Sequence, residues 1–81
     1  MERGLRLSIK DNTPNNAMQV LDMFLNVWFQ EDCISPVKFE RMHDPNTLNT
    51  FYDVYFHSKQ DLMYLKIKGI PYNLKDYIKL I

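Results

Sequence analysis

The sequence is poor in the residues that usually announce chemistry. One cysteine, Cys33, stands in eighty-one residues, so no internal disulfide framework can form, and the first residues carry no signal-like pattern. Together these suit a reducing cytosol, that of an infected host cell included. There are two glycines, Gly4 and Gly69, too few for a loop whose backbone must close around a phosphate. Neither supplies a nucleophile elbow for Ser8, Ser35 or Ser58. Two histidines, His43 and His57, and scattered carboxylates do not reach the three or four ligands of a metal site. His43-Asp44-Pro45 reads as a turn, and His57 as a strand end. Cys33 follows Glu31 and Asp32, whose charges disfavour its thiolate. No run approaches the ~18 apolar residues of a membrane span. The formal charge is zero, ten Lys and Arg against ten Asp and Glu, so nothing draws the whole molecule to nucleic acid or a membrane. An enzyme, a cofactor and a metal are therefore not expected.

What is present is apolar and aromatic. The hydrophobic fraction is 46% and the aromatic fraction 14%, enough for one packed domain over 1–81. A core of this size closes on a narrow margin, because ordering each residue costs about 1–2 kcal/mol and a buried Leu or Phe returns about 1.5–3 kcal/mol. A partner or a second copy of the chain is a natural source of further stability. Alanine occurs once, at Ala17, while Asn, Lys, Ile, Phe, Tyr and Met abound. That bias suits an AT-rich genome and hence a phage-borne or mobile-element origin.

Leu5 to Lys10 alternates apolar and polar with period two, the pattern of a half-buried strand. Thr13-Pro14 then offers a hydroxyl N-cap and a proline at the first helical position. From Pro14 to about Glu31 the periodicity is helical: Asn15, Gln19, Asp22, Asn26 and Gln30 form one narrow polar stripe. A second strand follows, with Val37 and Phe39 on one face and Lys38 and Glu40 on the other. The turn at 43–47 leads to an aromatic and β-branched strand from Thr50 to His57. After a polar turn at 58–61, the alternation over 62–68 reads as a fourth strand, ended by Gly69-Ile70-Pro71. Leu74, Tyr77, Ile78 and Ile81 share one face of a short C-terminal helix. The expected fold is thus α+β in the order β-α-β-β-β-α. Its four-stranded sheet is antiparallel or partly mixed, and the long helix packs on one face.

The functional expectation comes from that helix. An ordinary surface helix is apolar over about a third of its circumference, whereas here nearly everything off the polar stripe is apolar. Met18, Met23, Phe24, Val27, Trp28 and Phe29 are interface candidates; the methionines and aromatics among them are adaptable or aromatic types enriched where proteins meet. The reading is a non-enzymatic protein-interaction module that self-associates or binds and inhibits or regulates a partner. The alternative is nucleic-acid binding by the outward face of the sheet. There the strand assignments gather Arg6, Phe51, Tyr55, Tyr64, Lys66 and Lys68, and aromatics with cations can hold stacked bases and phosphates.

Overall fold

The computed structural model describes residues 4–11, 13, 14 and 16–80. Period-two alternation produces β1 (Gly4–Ile9), β2 (Val37–His43) and β3 (Thr50–Phe56). β3 pairs antiparallel with both others, Leu7 opposite Tyr52 and Phe39 opposite Val54. In this register Leu5, Leu7, Ile9, Val37, Phe39, Tyr52, Val54 and Phe56 line one face and are buried or packed on the core, as their spacing requires. The long helix α1 (Ala17–Asp32) lies on that face through Leu21, Leu25, Trp28 and Phe29. Phe29 meets the rings of Trp28, Phe39 and Phe56 with centroids 4.9, 5.6 and 6.1 Å away. One aromatic cluster therefore joins α1 to two strands.

Two segments differ from the expectation. Residues 62–68 are not a strand: they belong to the helix α2 (Lys59–Lys68). Leu62 and Leu65, one turn apart, are buried, while Ile67 is turned outward. Ser58 stands at the N-cap position in extended backbone, without a side-chain capping bond, and Asp61 puts an acid in the first turn, residue types that favour a helix start. Gly69 closes α2 at φ 80°, donating its N–H to the Leu65 carbonyl. The C-terminal segment is not a helix. Turns at 71–78 bury Leu74 and Ile78, and Ile78–Leu80 then forms β4, antiparallel to β1. The free edge of β1 offers unpaired N–H and C=O groups, and this three-residue strand pairs with it at Leu7, Ser8 and Ile9. Ile81 lies outside the described residues.

The observed order is therefore β1-α1-β2-β3-α2-β4, with an antiparallel sheet in the order β2-β3-β1-β4. This is the split βαβ arrangement. It hosts many unrelated functions and assigns none by itself. The start of α1 also shifts. Thr13 and Pro14 form turns, with the Thr13 N–H on the Lys10 carbonyl, and Asn16 is the N-cap. Asn15, the first residue of the expected polar stripe, lies outside the described residues.

Two carboxylates fix the helices. Asp22 accepts hydrogen bonds from the Tyr52 hydroxyl and the Arg41 guanidinium, tying α1 to β3 and β2. The Tyr52 ionisation is pushed up by burial and then by Asp22. Asp61, a buried charged residue, accepts from the Ile34 and Ser35 N–H groups at 3.1 and 3.0 Å. It thereby locks the first turn of α2 to the chain leaving α1. Replacing Asp61 with alanine strips the acceptor from both donors. The expected cost is about 3 kcal/mol of stability in urea denaturation, with a smaller loss for Asp61→Asn. A change below ~0.5 kcal/mol, the scatter of neutral surface substitutions, would show that this tie does not hold the helix.

Candidate protein-binding surface

The surplus apolar side of α1 is uncovered. Val20, Met23, Phe24 and Val27 are 44, 68, 40 and 49% exposed, and their spacing sets them in one stripe along the helix. Of the six residues singled out from the sequence, the structure brings Met23, Phe24 and Val27 together on this stripe. Met18 is half-buried against the core, and Trp28 and Phe29 are core residues. The stripe adds Val20, absent from those six; its position one turn before Met23 and Phe24 is the signal that points to it. Gln19, Asn26 and Gln30, also exposed, border the stripe with uncharged amides.

Two shallow hollows flank Phe24. One, of about 270 Å³, is lined by Ala17, Val20, Leu21, Phe24 and Tyr77. The other, about 160 Å³, lies toward Val27, Trp28, Lys68 and Leu74. Tyr77 in the first hollow and Leu74 in the second bring the C-terminal turns to this edge of α1, while Val20, Met23, Phe24 and Val27 stay exposed. At the far end, Asp32 is consumed internally: it accepts from the Trp28 indole N–H at 2.8 Å and from Lys68 Nζ at 2.9 Å. The Lys68 ammonium, 5.6 Å from the Tyr64 ring centre, is held charged more firmly than usual by that carboxylate.

The six sheet-face residues divide between two places. Arg6, Phe51 and Tyr55 lie on the sheet face turned away from the helices, while Tyr64, Lys66 and Lys68 lie on α2. Arg6 is already engaged, donating to Asp53 at 2.9 Å while its guanidinium lies 4.1 Å from the Phe51 ring centre. Tyr55, 58% exposed, stands opposite Lys38, and Met42 opposite Phe51. This open face is aromatic and mixed in charge.

Among the described residues no cluster of His, Cys, Asp and Glu could hold a metal ion. No helix there is long and apolar enough to cross a membrane. His43 faces the Thr50 hydroxyl at 3.3 Å across the hairpin, whose tip is set by Asp44 accepting from the Asn46 N–H. That bond holds the Asp44 carboxyl below its ordinary range. Leu48, in the same tip, adopts φ 61°, a left-handed backbone unusual for a branched side chain.

Cys33 shows why it is a poor nucleophile. Burial first, and then the charges of Asp61 and Asp32, push its thiol up to about 11 from an ordinary 9.0. Comparisons with protein-family models, curated proteins and solved structures find no match to this chain.

The raised thiol fixes a pH dependence. A group whose folded value lies above its unfolded one contributes stability that is complete below the unfolded value and lost as pH rises through the folded one. For Cys33 the window runs from about 9 to about 11, and the raised Tyr52 adds loss in the same direction. Melting temperature should fall between pH 9 and 10.5, and the fall should shrink in Cys33→Ala. Alkylation of native Cys33 at pH 8 should run one to two orders of magnitude slower than that of a free thiol, on the order of its depleted thiolate. A fast native alkylation and a flat melting profile would contradict this picture.

Proposed function

We propose that this chain is a non-enzymatic protein-interaction module that docks through the outer stripe of α1 and acts on its partner by occupancy. The observation that carries the reading is the exposure of four apolar side chains in one helical row. Isolated exposed apolar residues need no explanation, but the largest contiguous apolar patch on a monomer is often functional. The chemistry is that of helix-in-groove recognition, where residues at i, i+3, i+4 and i+7 anchor a partner. Methionine and phenylalanine supply the adaptable and aromatic contacts common at such centres. An inhibitor or regulator carried by a phage or mobile element is a role that a small module with this surface could fill.

The double replacement Met23→Gln with Val27→Gln tests the reading. Both side chains are largely in solvent, so stability should change by less than about 1 kcal/mol. Retention of the native protein on a hydrophobic-interaction column should drop. If the variant instead unfolds, or elutes with the parent, the stripe is not an open apolar surface and the proposal fails.

A second reading, single-stranded nucleic-acid binding, is supported by Phe51 and Tyr55 on the open sheet face, with Lys38 beside Tyr55. Stacking contributes about 1–3 kcal/mol per base, so Tyr55→Ala should weaken oligonucleotide binding at low salt by at least tenfold. Affinity should also fall steeply with added salt. Absence of binding to any oligonucleotide at 20–50 mM salt, roughly the regime that favours phosphate contacts, would end this second reading.

A further inference from the structure

We infer that the occupant of the α1 stripe is a second copy of this chain, with the two α1 helices packed antiparallel across a two-fold axis near Met23 and Phe24. The inference rests on the proposed docking role of the stripe and names its partner.

The charge pattern along α1 carries it. Backbone dipoles leave a helix positive at its N-terminus and negative at its C-terminus, so acids belong in the first turn and bases in the last. α1 has the reverse. Its first turn contains no acid, its last turn no base, and its N-cap Asn16 makes no side-chain capping bond. The last turn instead carries Glu31 and Asp32. Asp32 is neutralised by Lys68 within the chain, which leaves the exposed carboxylate of Glu31 beside the stripe's C-terminal end.

The midpoint of the row Val20, Met23, Phe24, Val27 lies between residues 23 and 24. An antiparallel pair crossing there sets Glu31 of each chain opposite Asn16 of the other, at the positive helix end where the Asn16 side chain makes no capping bond. Each copy thus supplies the acid that the other's first turn lacks. A parallel pair would bring Glu31 against Glu31 and set no acid against either first turn. The amides of Gln19, Asn26 and Gln30 that border the row bring no like charges together in the antiparallel pair. A two-fold axis also requires the surface to complement itself, and the hollows on either side of Phe24 leave room beside the row for the facing side chains.

Four side chains, each partly exposed, make a small patch, below the ~800 Å² per partner of a standard stable interface. The dimer is therefore weak, with a dissociation constant in the micromolar range or above.

Three measurements on the full chain decide it. Sedimentation should show a monomer–dimer equilibrium that Met23→Gln with Val27→Gln shifts to monomer. In a Cys33→Ala background, Met23→Cys should give a disulfide-linked dimer on mild oxidation, while Lys38→Cys on the opposite sheet face should not. Glu31→Lys should weaken the dimer about three- to thirtyfold, since two helix ends lose their acid, and should leave the monomer's melting temperature equal or higher, because lysine suits its own helix terminus. A dimer that cross-links through position 38, or one that Glu31→Lys leaves unchanged or strengthens, overturns the antiparallel pair. A chain that stays monomeric to millimolar concentration overturns self-pairing altogether. In that case, hydrophobic-column retention that still depends on Met23 and Val27 keeps the docking reading, with a different protein as occupant, whereas loss of that dependence removes both.

Discussion

Everything in this domain hangs on a sheet that is apolar on one face only. Leu7 and Ile9 of β1 and Tyr52, Val54 and Phe56 of β3 send their side chains to the same side, and that side must be roofed by helix. α1 supplies the roof through Leu21, Leu25, Trp28 and Phe29, and α2 completes it through Leu62 and Leu65. A single layer of side chains between sheet and helix is then full. Whatever further apolar surface α1 carries has no second layer to enter, because the C-terminal segment spends itself on turns and on the free edge of β1. The exposure of Val20, Met23, Phe24 and Val27 follows from that geometry.

Polar groups set how the roof is fastened. Asp22 sits on the stripe that the helical spacing turns to solvent, yet it takes the buried Tyr52 hydroxyl that would otherwise lack an acceptor. Asp61 serves the backbone of the α1–β2 connection in the same way. Asp32 joins the ends of both helices through Trp28 and Lys68. With three carboxylates committed inward, Glu31 is the one left at the end of the helix, and its position gives the apolar stripe a direction.

The sequence made much of this legible. Strong alternation in β1 and β3 and the long helical period of α1 were readable because each is a local pattern repeated several times. The inward and outward faces of the strands followed directly. Residues 62–68 resemble a strand because Leu65-Lys66-Ile67-Lys68 also alternates with period two; a serine at 58 followed by an acid at 61 is the feature that favours a helix. Leu74, Tyr77 and Ile78 recur at helical spacing and are buried or half-buried as that spacing implies, but turns place them there. β4 was not readable from its three residues, since only the distant edge of β1 calls for it. For the site, composition showed that α1 has more apolar surface than one face can bury. It could not say that Trp28 and Phe29 lie inward while Val20 lies outward, because that depends on how the helix is rotated over the sheet. The sheet-face group lost half its members when residues 62–68 proved helical.

The central claim is that one row of α1 is solvent-facing in the single chain while its neighbours one position away are sealed. Solvent relaxation of methyl groups measures this directly: a soluble paramagnetic chelate is added to dilute protein, and the methyl signals of α1 are followed by NMR. The account predicts strong relaxation at Val20, Met23 and Val27 and little at Leu21 and Leu25, which are 1% and 0% exposed. Protection of Met23 and Val27 equal to that of Leu25 in the dilute monomer would contradict it.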